Sequence, residues 1–490
     1  MKRFTLTACA ALSFSAPAFA QQVPNASPDI PVSAQDRFYT SDQFSNTVSV
    51  IDPSTNTLLG VIKLGDQTPA NLSPLYKGQL LVHGMGFSPD RKTLAVISIG
   101  SNSVTFIDTA TNAVKHTTYV GRSPHEAFFR PDGREVWVAV RGEDYIQVLD
   151  GKTFAPTTRI PVPNGPGMTI FSPNGKYGYV CSSFSPETVV IDTASKKIVG
   201  RVKQASPFCP DIAATPDGKQ VWLTLKDVGK VMVFDAKPPF AVLKTFDTGA
   251  ITNHVNIART KAGQFAYVTV GTENVVKVFR TTDFVQVASI PVGALPHGLW
   301  PSGDGSRIYV GLENADAVAA IDTASNTVIA TIPIGQGPQG VAYVPGAVPV
   351  GEGRANLIPL AQAGMKIQLT LAGTGRSQVT LFDQGQVQIL QAAVAGLSPK
   401  MPYVLGLSFR ADGGGVIQPL AKFMTNPAGG AIVNTLGPLR QIVSDAKGDM
   451  RRYLVIASGG SVAKIVKLEH AWRRLDGRND DGFQVAPFPG

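Results

Sequence analysis

The chain has 490 residues, with 44 Lys and Arg against 35 Asp and Glu and a formal net charge of +9. No segment after residue 20 holds eighteen uninterrupted apolar residues, which excludes a membrane-spanning helix there. Residues 21–350 carry 27 basic and 26 acidic side chains, against 15 and 9 in 351–490. A first part so balanced lacks the concentrated basic stripe that displaces counterions from nucleic-acid phosphates, so nucleic acid is not expected as a partner. The basic excess of the last part suits either a solvated face or contact with an anionic envelope surface.

The chain opens with Met1-Lys2-Arg3, a run of apolar and small residues, and Ala18-Phe19-Ala20 before Gln21. That is the layout of a secretory signal peptide cut after Ala20, and it predicts a periplasmic or secreted protein. Leu6-Thr7-Ala8-Cys9 offers a rival lipid-attachment site, with a short apolar core in front of it. Once residues 1–20 are removed, Cys181 and Cys209 are the remaining cysteines, and a pair in an oxidising compartment predicts a disulfide.

From residue 37 onward one pattern recurs: an apolar strand of period 2 that ends in Asp and is followed by Thr, Asn, Ser or Lys. Its seven copies are Val48-Ser-Val-Ile-Asp52, Val104-Thr-Phe-Ile-Asp108, Ile146-Gln-Val-Leu-Asp150, Thr188-Val-Val-Ile-Asp192, Val231-Met-Val-Phe-Asp235, Val276-Lys-Val-Phe-Arg280 and Val318-Ala-Ala-Ile-Asp322. Their ends lie 56, 42, 42, 43, 45 and 42 positions apart, the length of a four-stranded propeller blade, with an insertion around 67–79 in the long first interval. Turns such as Arg130-Pro-Asp-Gly133 precede them, where Pro sets φ and Gly accepts the positive φ that follows. The first unit lacks an innermost strand, and the unmatched Gln339-Gly-Val-Ala-Tyr-Val344 follows the seventh. Pairing the two closes the ring and removes open sheet edges.

Phe38-Tyr-Thr-Ser41 with Asn46-Thr-Val-Ser-Val-Ile-Asp52, and Tyr267-Val-Thr-Val270 with Asn274-Val-Val, resemble the YVTN family of β-propeller repeats over roughly residues 35–346. The resemblance implies an all-β, seven-bladed propeller. It does not select a function, because similar propellers occur in lactonases, in redox-associated periplasmic proteins and in surface adhesion proteins.

Beyond 346 the period stops. A 347–360 linker rich in Gly and Pro leads to new alternating segments at 366–371, 378–383, 403–410, 417–425 and 452–458, which predict a small β-sandwich over 361–472 and a flexible tail over 473–490.

Alignment on the Ser-Pro-Asp turns puts His83, His125 and His297 at one repeat position, with His254 one place off. That position begins the innermost strand, so the four imidazoles are expected around the mouth of the central channel. Gathered imidazoles suit a divalent metal, here His83, His125 and His297, or a general base near neutral pH. The plainer alternative is a habitual Pro-His-Gly filler facing channel water. Glu126 and Asp211 either add carboxylates to that mouth or are solvated loop charges, and Arg122, Arg141 and Asn253 are further candidates for an anionic ligand. No Cys-x-x-Cys-His, Gly-x-Ser-x-Gly, phosphate loop or His-Glu-x-x-His is present, which removes covalent haem, serine-triad and nucleotide chemistry. The expected role is a binding or scaffold protein that takes a small ligand or partner at the channel mouth, with no cofactor evident apart from a metal at the histidines. The alternatives are a lactonase-like or quinoprotein-associated periplasmic enzyme, or a cell-surface adhesion protein.

Overall fold

The computed structural model describes residues 30–65, 80–360, 365–372, 377–383, 388–410, 412–437, 452–458 and 461–473. The expected signal peptide (1–20), the insertion at 67–79 and the tail beyond Arg473 lie outside the described residues. All regular structure here is β, and no helix is long and apolar enough to cross a membrane among the described residues.

Seven four-stranded antiparallel sheets form within residues 37–344, propeller-like and in sequence order. They are called blades 1 to 7 below. Blades 2 to 7 begin on Val82–Phe87, Pro124–Phe129, Pro166–Phe171, Ile212–Ala214, Thr252–Thr260 and Pro296–Pro301. Blade 1 takes its innermost strand, Pro338–Val344, from the far end, paired antiparallel with Arg37–Asp42. These first strands are buried along their whole length except at Arg259 and Thr260, whereas outermost strands such as Pro156–Pro161 expose all but one or two residues. The gradient follows from packing: an inner strand has blades on both sides, an outer strand meets water on one.

The recurring apolar motif is the third strand of every blade. Its terminal Asp is retained because the carboxylate folds back on the next turn. Asp108 Oδ1 accepts from the Thr111 amide and hydroxyl at 3.0 and 2.9 Å, and Asp192 and Asp322 receive Ser195 and Ser325 in the same way. Arg280 breaks the pattern, and there Asp283 accepts the Val285 amide and pairs with the Arg280 guanidinium instead.

The 347–360 segment is not a free linker. Asn112 Nδ2 donates to the Gly353 and Ala355 carbonyls, Asn356 Nδ2 donates to the Thr111 carbonyl, and Val61 and Ile358 exchange backbone hydrogen bonds at 2.9 Å. This fixes the connector along blades 1 and 2, because its own turns leave carbonyls that Asn112 satisfies.

The C-terminal part is one continuous eight-stranded antiparallel sheet rather than two packed sheets. Its spatial order is Ile417–Met424, Pro402–Ser408, Tyr453–Ser458, Ser461–Arg473, Met365–Ala372, Ser377–Asp383, Gln388–Val394, Ala431–Gly437. It rolls until its two edge strands meet, with Thr435 Oγ1 donating to the Leu420 carbonyl at 3.2 Å. Inside the roll lie Leu371, Leu381, Leu390, Leu405, Leu454 and Ile456. The expected sandwich and the observed roll carry the same inside-outside alternation, and only the long-range pairing of Met365–Ala372 with Ser461–Arg473 separates them.

Candidate functional site

Every first strand except Ile212–Ala214 of blade 5 carries a register irregularity close to its start, and this places the site. Val82–Phe87, Pro124–Phe129, Thr252–Thr260 and Pro296–Pro301 all slip against their second strands within the first four residues. The slipped residues turn into the axis and form two stacked layers. His83, His125, Asn253, His297 and Gln339 follow the opening residue of their strands. Glu126 and His254 come one place later, and Asp211 stands immediately before Ile212 of blade 5. His254 is therefore in the second layer because Asn253 holds its place in the first, donating through Nδ2 to the Pro296 carbonyl at 2.7 Å.

The four imidazoles do gather. His83 Nε2 is 2.9 Å from His125 Nε2, and ring centroids are 6.4 Å apart for His83 and His297 and 4.4 Å for His254 and His297. His297 Nδ1 faces the Gln339 carbonyl at 3.3 Å, and His254 Nδ1 lies 3.4 Å from Asp211 Oδ2. Glu126 Oε1 lies 3.8 Å from His125 Nδ1. Among the described residues no group of three or more His, Cys, Asp or Glu side chains is arranged to hold a metal ion. His83 and His125 are the pair whose ring nitrogens come together.

Burial sets the electrostatics. Desolvation holds His83 down to about 3 and the other three histidines well below the usual imidazole range, so all four are neutral near pH 7. The same burial raises Asp211 to about 8 and lifts Glu126 well above a normal carboxyl, helped for Glu126 by the nearby Asp211. Glu126 and Asp211 are 3% and 4% exposed, so neither is the solvated loop charge that its position in a turn region allows. Room for Glu126 comes from Gly84: a Cβ there would stand 2.1 Å from Glu126 Oε2 and from the His125 carbonyl oxygen. Beneath the two layers a cavity of about 30 Å³, lined by Glu126, Asp211, His254, Met168 and Trp300, has space for water or an ion and nothing larger.

Above the histidines, at the upper face, the first residue after the second strand of alternate blades is charged: Arg141 in blade 3, Lys226 in blade 5 and Glu313 in blade 7. Their positions carry no motif, so nothing in the sequence groups them. The C-terminal domain reaches the same face. Gln391 and Gln339 hydrogen-bond the Glu313 carboxyl, Ala428 N donates to the Asp227 carbonyl at 3.3 Å, and Ala393 and Ile432 pack on Ile251 and Leu295. Of the three anion candidates, Arg141 and Asn253 face the mouth region, whereas Arg122 is exposed and donates to the Gly142 carbonyl at 2.9 Å on the rim. Cys181 and Cys209 form a disulfide between the second strand of blade 4 and the lead-in to blade 5, two residues before Asp211.

These directions fix a pH response. Asp211 has a folded pKa of about 8 against an ordinary 3.8, so its contribution to stability is complete below pH 3.8 and is lost as pH rises through 8. The histidines have the opposite sign: their contribution is present above 6.5 and lost as pH falls. Between about 4 and 6.5 the two oppose, and above 6.5 only the carboxyls act. The melting temperature is therefore expected to decline from pH 6.5 to 9, and to decline less in Asp211→Asn. Identical slopes in the two proteins would show that Asp211 ionises without penalty.

A curated relative, the uncharacterized protein YwhL of Bacillus subtilis (strain 168), is 25% identical over 312 residues, 54% of this chain and 64% of the relative. The chain thus spans less than two thirds of that relative's length. Among solved structures, a functionally unknown protein from Desulfotomaculum acetoxidans DSM 771 aligns with TM-score 0.53 at 15% identity, over 63% of this chain and 98% of that one. Kuenenia stuttgartiensis hydrazine synthase aligns with TM-score 0.49 at 22% identity, over 54% and 90%. At these identities the likeness is one of fold. Residues 4–348 match the YNCE-like beta-propeller family, and with the sheets and layers described above the chain belongs to that family.

Proposed function

We propose that this is an exported binding protein whose seven blades close into one ring, and that a small ligand sits at the upper mouth between the histidine layer and the C-terminal domain. The observation that carries this reading is a set of buried polar atoms without partners at the starts of first strands and just after second strands: His83 Nδ1, His254 Nε2, Arg141 Nε, Asn253 Oδ1 and Ser183 Oγ. A buried polar atom left unpaired costs roughly 1–3 kcal/mol, so five at this end of the strands support a molecule that satisfies them. Pairing of Pro338–Val344 with Arg37–Asp42 supports the closed ring, and the disulfide supports an oxidising compartment.

Native mass spectrometry of protein isolated from the exported fraction tests this. A mass excess that disappears on denaturation, and in His83→Ala with His297→Ala, is expected. A bare chain mass together with no thermal shift from any compound of a metabolite panel would refute it.

One observation favours a second reading, a hydrolase acting on lactones. A raised carboxyl beside a neutral imidazole, as in Asp211 with His254, is a general acid-base pair. Base uptake in a pH-stat with simple lactones, lost in His254→Ala, would establish it. Stoichiometric Zn, Cu or Fe, lost in His83→Ala with His125→Ala, would move the reading to a metal-dependent protein.

A further inference from the structure

Two cations stand at this mouth without an ion-pair contact, and Glu313 and Asp227 act on Lys226 only from beyond that distance. Lys226 is 9% exposed, and Arg141 is partly buried with its Nε buried and unpartnered. Neither approaches a carboxylate to within 4 Å among the described residues, although buried cations are ordinarily paired. Both instead lie against aromatic faces: Arg141 is 5.7 Å from the Phe184 centroid and 5.5 Å from that of Phe208, and Lys226 is 5.8 Å from Phe208. Burial pulls both below their usual values; on Lys226 Glu313 and Asp227 act against this and Arg141 adds to it. The titratable groups facing them are His83, His125, His254, His297, Asp227 and Glu313. Glu313 is drawn toward its neutral form by burial and is engaged by Gln339 and Gln391, while Asp227, next in sequence, is likewise raised by burial. Imidazoles that are neutral near pH 7 surround the pair and supply N–H donors without adding charge.

A cation-π contact returns about 0.5–2 kcal/mol, less than the several kcal/mol that taking an unpaired ion out of water costs. The difference is offset by a bound negative charge. We infer that Arg141 and Lys226 bind one small oxyanion, a carboxylate or a phosphate, clamped beside Phe208 at the blade 3 to blade 5 side of the mouth. This rests on the ligand-binding reading above and gives the ligand its chemical class. A guanidinium fork meets two oxygens at once, and the ammonium supplies a point charge to a third.

Calorimetric titration of the full chain with inorganic phosphate, sulfate and succinate, against chloride at matched ionic strength, tests the inference. At least one oxyanion is expected to bind with one-to-one stoichiometry and raise the melting temperature. Arg141→Met and Lys226→Met should each weaken binding at least tenfold, and the double variant should abolish it. Because methionine removes a buried charge that lacked a partner, the double variant in chloride should melt no lower than the parent. Arg141→Lys keeps the charge but loses the fork, and an intermediate loss is expected. Equal response to chloride, or undiminished oxyanion binding by the double variant, would overturn the inference. A co-purified mass excess that survives in the double variant would overturn the anion while leaving the binding reading intact.

Discussion

Replacing Cys181 and Cys209 by alanine is expected to destabilise the chain by about 3 to 4 kcal/mol, the chain-entropy value for a closed loop of this length. The two cysteines are 28 positions apart and both are buried. Against a typical total of roughly 5–15 kcal/mol this is a large share, and it would lower the melting temperature by several degrees. The site should feel the loss as well. The bridge ties blade 4 to the lead-in that carries Phe208 and Asp211, so freeing it lets the aromatic face between Arg141 and Lys226 move. Scanning calorimetry of oxidised parent, reduced parent and double variant checks the result, and coincident curves for all three would mean that blade packing alone holds this joint.

Gly84→Ala is expected to cost about 3 kcal/mol, near the upper end for overpacking in a filled core. The new Cβ would lie 2.1 Å from both Glu126 Oε2 and the His125 carbonyl oxygen. A carboxylate can swing away, but the carbonyl belongs to the neighbouring inner strand and moves only with it. Combining Gly84→Ala with Glu126→Ala should recover just the side-chain part of the loss, and melting curves of the three variants measure that division. Full recovery in the double variant would show that the backbone contact is harmless.

Most of the propeller was legible because its information is periodic. The strand ending in Asp108, Asp150 or Asp192 repeats at 42 or 43 positions, and each repeat encodes its own turn through an Asp that caps it. The histidines were legible for the same reason: equal spacing from a turn means equal place around an axis. What periodicity does not carry was missed. That Glu126 is buried depends on the bulge in its own strand and on Gly84 next door, and that Asp211 is buried depends on the lead-in before Ile212; none of this shows in a hydropathy pattern. Arg141, Lys226 and Glu313 hold one repeat position in blades 3, 5 and 7, but loop residues that vary between blades leave no signature until the blades are assembled. The strands Gln388–Val394, Ala431–Gly437 and Ser461–Arg473 were not anticipated, and the order of the C-terminal sheet depends on pairing between segments far apart in sequence, which alternation alone does not specify.

The sheet that joins the two ends of the propeller has a consequence in time. Tyr343 donates to Asp36 across 307 positions, and the first strand of blade 1 is the last of the propeller strands to be made. At about 5–20 residues per second, synthesis leaves the inner edge of Arg37–Asp42 without its partner for roughly 15–60 s. Contact order this high makes folding slow. A chain that cannot pair its first sheet until its last propeller strand has emerged completes that sheet late, so the pairing that stabilises it also delays its formation.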